Sequence, residues 1–105
     1  MILIRINCPD PATAETIAHH AVEASLAACA NITAPVRSVY RWEGKIEQGE
    51  ETVLYLKTRA SLFDHVAKMV TRLHPDDVPA IIAIPMERTT EAFGHWLEAE
   101  TGGAE

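Results

Sequence analysis

Residues 40–47 read Tyr40-Arg41-Trp42-Glu43-Gly44-Lys45-Ile46-Glu47. Two aromatics, a cluster of charges and a glycine in this order describe the tip of a β-hairpin. Successive strand side chains point to opposite faces, so Tyr40 and Trp42 share one face and Arg41 and Glu43 the other. Gly44 permits the reversal. The run Thr52-Val53-Leu54-Tyr55-Leu56-Lys57-Thr58 is rich in β-formers and returns antiparallel. Large aromatics at such a tip are hard to bury within their own small domain. The pattern therefore predicts that something else covers them.

The arms are also long. From Ile32 to Ile46 the chain would span roughly 50 Å as one extended ribbon. A compact domain of about 100 residues is only about 30–35 Å across. The ribbon must bend or protrude, with Pro35 and Gly49 as candidate bends. The reading is a hairpin that leaves the body and pairs with a neighbouring subunit.

Outward from the hairpin, the chain has 105 residues, which fits a single domain over 1–105. A 48% hydrophobic content is enough for a modest core. The formal charge of −6, with lysines and arginines scattered, argues against nucleic acid or an anionic membrane as partner. Two cysteines, Cys8 and Cys29, are too few for a disulfide scaffold. No signal peptide and no membrane-length apolar run is visible, so the expectation is a reduced, cytoplasmic protein.

Ile2, Ile4 and Ile6 alternate with Leu3 and Arg5 and predict a strand. Asp10-Pro11 reads as a helix start, followed by an apolar stripe through Ala14, Ile17, Ala18, Ala21, Val22 and Leu26, with Asn31 as its end. Ser61 is the expected cap of a second helix carrying Val66, Val70 and Leu73, and His74-Pro75 stops it. Residues 80–84 read as a strand buried on both faces. A third helix starts near Thr90, turns Phe93, Trp96 and Leu97 inward, and ends at Gly102-Gly103. The order β-α-β-β-α-β plus a C-terminal helix is that of an α+β, ferredoxin-like sandwich with both main helices on one sheet face. The opposite face then needs a cover.

Here the residues resemble a known family, the CutA divalent-cation tolerance proteins. The resemblance rests on Cys8-Pro9-Asp10, on Leu26-Ala27-Ala28-Cys29-Ala30-Asn31, and on Tyr40 to Lys45. It continues through Glu51, Lys57-Thr58, His74-Pro75 with Val78-Pro79, and Ile84-Pro85. It implies an intertwined homotrimer and a role in tolerance of copper and other divalent metals. The family architecture is similar to that of PII signalling proteins. One departure stands out: the family usually has tyrosine after His-Pro, whereas Asp76 and then Asp77 stand here.

Thiolate and imidazole suit copper and zinc, which makes Cys29, His74 and Cys8 the metal candidates. None has the tight spacing of a structural site. The plainer readings are a core residue on a helix stripe for Cys29, a strand-end residue for Cys8, and a residue meeting the last helix carbonyls for His74. In family proposals for a metal site, Cys29 is the cysteine most often included. His19 and His20 diverge by about 100° on their helix and cannot chelate jointly in the i, i+4 manner. Lys57 in mid-strand either snorkels to the sheet edge or pairs with a carboxylate such as Glu51. Tyr40, Trp42, Glu51, Lys57 and Asp76 are the expected residues of an inter-subunit cleft or interface. Asp76 is expected beside a positive group at a subunit boundary: a cation, protonated His74, or one of Arg5, Arg37 and Arg88.

No G-x-S-x-G, P-loop or H-E-x-x-H motif occurs, and no nucleophile–base constellation suggests itself, so the expectation is a protein without catalysis. The leading reading is a homotrimeric metal-responsive protein or scaffold. The alternative is a PII-like module that binds a small metabolite or nucleotide between subunits, with the missing Gly-rich loop weighing against a nucleotide. A third, an RNA-binding domain of this topology, lacks the basic charge and stacking run it would need.

Overall fold

The structure, a computed structural model, describes residues 1–102. Strand β1 (Ile2–Cys8) leads into helix α1 (Pro11–Glu23), short strand β2 (Cys29–Ile32), and the hairpin strands β3 (Val36–Trp42) and β4 (Lys45–Thr58). Helix α2 (Phe63–Leu73), strand β5 (Ile81–Pro85) and helix α3 (Glu91–Thr101) follow. The sheet runs β2-β4-β1-β5, with β3 paired to the distal half of β4, and every pairing is antiparallel. With β2 and β3 counted as one interrupted strand, this is the ferredoxin-like order, as the sequence predicts.

The alternation in β1 sorts its two faces. Ile2, Ile4, Ile6 and Cys8 are buried against the helices, while Leu3, Arg5 and Asn7 face the other way. Ile4, Ile6, Ile17, Leu54, Leu56 and Val66 are fully enclosed in one core between sheet and helices. Each such side chain contributes about 1.5–3 kcal/mol by leaving water. Helix α1 starts as its sequence dictates: Pro11 opens the first turn and the Asp10 carboxylate accepts the Thr13 N–H at 2.7 Å. That bond also holds the Asp10 carboxyl below the ordinary carboxylate range.

Several expectations need correction. Helix α1 does not run on to Asn31; it stops at Glu23, and Ser25 takes a left-handed φ of 58° to reverse the chain. Cys29 therefore sits on edge strand β2, not on a helix stripe. The first arm is not one ribbon, because Thr33, Ala34 and Pro35 separate β2 from β3. The second arm is not interrupted at Gly49; β4 runs through it as one strand. Ser61 lies inside a short 3-10 turn (Ala60–Leu62), so Leu62 precedes α2 without a side-chain cap. Strand β5 is not buried on both faces, for it lies at the sheet edge and Ile82 is 51% exposed. Leu97 is buried as expected, but Trp96 is largely open to solvent. Of the expected Gly102-Gly103 stop, Gly102 stands at the end of α3 and Gly103 lies outside the described residues.

The hairpin protrudes. The described chain measures 45 × 25 × 22 Å, and β4 alone, at about 3.3 Å per residue, nearly accounts for the long dimension. The tip is a two-residue turn with positive φ at both Glu43 (50°) and Gly44 (80°), as a type I′ turn demands. A Cβ on residue 44 would meet nothing within 4 Å, so only the backbone strain opposes it. Gly44→Ala is therefore expected to lower stability by about 1 kcal/mol in chemical denaturation. Glu43→Asn, which creates the favoured Asn-Gly pair, is expected to raise it.

Candidate functional site

The hairpin and the loop after α2 enclose a groove of about 680 Å³ at the end of the sheet. One wall carries Tyr40 and Trp42; the other is the segment from Pro75 to Val78. Strand register explains the first wall. Val36 of β3 pairs with Glu51 of β4, and Trp42 with Lys45, so Tyr40, Trp42 and Glu51 share one face. Of the five residues expected at an inter-subunit cleft or interface, Tyr40, Trp42, Glu51 and Asp76 line this groove within one chain, and Lys57 does not.

The second wall is held by His74. Its ring is buried, and Nε2 donates to the Asn7 carbonyl at 2.7 Å. A carbonyl only accepts, so Nε2 carries the proton and Nδ1 keeps its lone pair. That lone pair accepts the Asp76 N–H at 3.1 Å. His74 thereby ties the end of α2, the end of β1 and the start of the loop. Its backbone N–H bonds Val70 as the last helical turn, while its side chain reaches β1 rather than the helix carbonyls.

Asn7 is the residue that the sequence did not single out. Its N–H donates to the Ala80 carbonyl at 3.2 Å and its carbonyl takes the His74 bond. Its Nδ2 donates to Glu51 Oε1 at 3.3 Å, and its Oδ1 accepts from Arg5 Nε at 3.4 Å. One strand residue thus positions the loop, the imidazole and a groove carboxylate. The only trace of it in the sequence is an amide breaking the apolar run of β1.

The site is acidic. Glu51, Asp76 and Asp77 line it, and none of the described residues that line it is a lysine, arginine or histidine. Burial, then the charges of Asp10, Asp76 and Glu51, push the nearby Cys8 thiol up from 9.0 to about 11. Within this chain Asp76 meets no arginine among the described residues: its Oδ2 lies 3.9 Å from His74 Nδ1, which in this arrangement carries a lone pair rather than a charge, while Arg5 turns to Asn7 and to the Tyr55 hydroxyl. Lys57 does not pair with Glu51 either: its Nζ donates to Asn31 Oδ1 at 2.8 Å and lies over the Phe93 ring at 5.9 Å.

The three metal candidates are not brought together in one chain. Cys8 pairs with Thr52 and Cys29 with Lys57, which places them five register positions apart along β4, roughly 17 Å. They also face opposite sides of the sheet, since Thr52 is buried toward the helices and Lys57 points away. Cys8 is a protonated, fully buried thiol, and both His74 ring nitrogens are engaged. Among the described residues, no group of three His, Cys, Asp or Glu side chains is placed to hold a metal ion.

These thiols should separate in solution. A thiol-specific reagent at neutral pH is expected to label half-buried Cys29 quickly and Cys8 only on unfolding. The raised Cys8 pKa favours the folded state wherever the thiol stays protonated. That contribution is complete below pH 9 and is lost as pH climbs from 9 to 11. Cys8→Ala should flatten the stability profile over that alkaline window.

Comparison with known proteins places the chain. Residues 2–100 match the family model described as CutA1 divalent ion tolerance protein. The divalent-cation tolerance protein CutA of Pyrococcus horikoshii is 40% identical over 101 residues, 96% of this chain and 98% of that protein. Mouse protein CutA is 36% identical over 96 residues, 91% of this chain, which spans only 54% of the mouse protein. The solved structure of the periplasmic divalent cation tolerance protein CutA from Archaeoglobus fulgidus superposes with a TM-score of 0.93 at 39% identity. That match covers 95% of this chain and 97% of the other. With its sequence matched almost end to end and its fold superposed, the chain belongs to the CutA1 divalent ion tolerance protein family.

Proposed function

We propose that this chain acts without catalysis as a homotrimeric divalent-cation tolerance protein, each hairpin covering the open sheet face of a neighbour. The observation that carries the reading is the apolar surface left uncovered on the hairpin and on the edge strand. Val39 is 68% exposed, Ile46 61% and Trp42 45%, and Ile82 on β5 lies equally open. A monomer gains nothing from such a surface, and the unpaired outer edges of β3 and β5 are templates for another chain. The link to divalent cations comes from the family.

Copper enters this reading at a site completed between subunits. Cys8 and His74 hold the fold rather than offer ligands, whereas Cys29 lies on the face turned away from the main helices. Assembly brings that face against a second chain, where the ligands missing within one chain can be supplied.

A second reading, a PII-like module for a small metabolite, is favoured by the groove. At about 680 Å³ it has the size of a small-molecule site rather than of an ion site. Its carboxylates disfavour a nucleotide.

Light scattering of dilute protein is expected to give a trimer; a stable monomer would sink the assembly reading. Trp42→Ala should weaken association by about 2 kcal/mol, as buried interface aromatics do. In copper titrations Cys29→Ser should lose at least about tenfold in affinity. His74→Ala should instead lower the melting temperature, because it strips the Asn7 carbonyl of a part-buried hydrogen bond. Unchanged copper affinity in Cys29→Ser would return that residue to a purely structural role.

A further inference from the structure

We propose that His74 and Asp76 form a latch that a proton opens. The neutral His74 ring holds the Asp76 N–H; once Nδ1 is protonated it takes the Asp76 carboxylate instead, and the loop after α2 is freed from the first bond. The latch needs neither a ligand in the groove nor a partner subunit.

Two groups of one residue compete for a single nitrogen. Asp76 brings a donor, its backbone N–H, to 3.1 Å from His74 Nδ1, and an acceptor, its Oδ2, to 3.9 Å from the same atom. A lone pair accepts the first, and an N–H donates to the second. The nitrogen cannot do both. Gaining a proton sets N–H against N–H, so the backbone bond breaks. The carboxylate then has only to close from 3.9 Å to the ordinary length of a charge-assisted hydrogen bond, about 2.8 Å. The Asp76 side chain is half exposed and has room to turn.

The other ring nitrogen is the pivot. Nε2 donates to the Asn7 carbonyl at 2.7 Å, and it does so in the neutral and the charged ring alike. The imidazole therefore stays anchored to β1 while the loop moves. The His74 side chain is fully enclosed, where an unpaired charge is costly, so the carboxylate must follow the proton.

The other charged and titratable groups of this corner come from every element packed there. Asp77 and Glu51 line the groove with Asp76, Asp10 heads α1, and the Cys8 thiol on β1 is buried and protonated. The cations are Arg5, tied to Asn7 and the Tyr55 hydroxyl, and Arg72, exposed on the last turn of α2. Among the described residues, Asp76 alone brings a carboxylate within 4 Å of the ring. Opening the latch alters the wall from Pro75 to Val78. Closed, the wall shows the carboxylates of Asp76 and Asp77; open, Asp76 turns to His74 and Asp77 is left. The Asn7 N–H bond to the Ala80 carbonyl marks the far end of the segment that is free to move.

The test follows the full chain in its native assembly by NMR between about pH 8 and 5, the range over which histidine changes charge. The ring nitrogen shifts of His74 should show the proton on Nε2 at the alkaline end and on both nitrogens at the acidic end. The Asp76 amide should move in the same transition. Asp76→Asn keeps the backbone N–H but loses the counter-charge, and should shift the transition to more acidic pH by about one unit. Asp77→Asn removes an equal charge that makes no bond to the ring, and should shift it far less. The proposal falls if the ring keeps one protonation state until acid unfolds the chain, or if it titrates while the Asp76 amide stays still. It also falls if the two variants shift the transition equally, which would be the general field of the acids rather than a latch.

Discussion

Everything in this chain hangs on the pairing of β4. Its proximal half bonds β1 on one side and β2 on the other, and its distal half bonds β3. A strand of 14 residues is nearly twice the width of the body that carries it. One end must satisfy its backbone groups in the sheet and the other in a ribbon outside it. The register that buries Leu54 and Leu56 against the helices also fixes, through strict alternation, which hairpin side chains turn toward the groove. Body and arm are therefore one mechanical element, and a slip of one residue would invert both.

Much of this was legible because it is local. Alternation in Ile2–Cys8, the Asp10-Pro11 helix start, the Glu43-Gly44 reversal and the stripe of α2 each depend on neighbours within a few residues. The errors lie where local preference is ambiguous. Leu26 to Ala30 is apolar and small enough for either helix or strand. The outcome is settled by the left-handed Ser25 and by the Ala28 N–H meeting the Lys57 carbonyl at 2.9 Å, a contact across 29 positions (57 − 28). Likewise, Ile81 to Ile84 has the composition of a central strand but occupies an edge, because strand order is a tertiary fact.

The site divides in the same way. Tyr40, Trp42, Glu51 and Asp76 were named as inter-subunit cleft residues from hairpin geometry and from family resemblance, and they line one groove of this chain, whereas Lys57, named with them, does not. The bond between His74 and Asn7 was not, since it joins residues 67 apart and leaves no periodic trace. It changes the reading of the region: within this chain an imidazole that donates from one nitrogen and accepts at the other acts as a strut. The placement of Cys8 and Cys29 on opposite sheet faces was equally hidden, because sequence alone does not give the register that sets their parity.

The central place of β1 has a consequence for biosynthesis. Its two partners are drawn from residues 52–58 and 81–85, so the first strand leaves the ribosome long before either exists. Between Ile2 and Pro85 lie 83 residue steps (85 − 2), about 4–17 s of translation at ordinary rates. Until residues 52–58 emerge, both edges of an isoleucine-rich segment are unpaired, and one edge stays open until residues 81–85 follow. The nascent chain must be shielded, or kept from condensing with its neighbours on a polysome, until its last strand emerges.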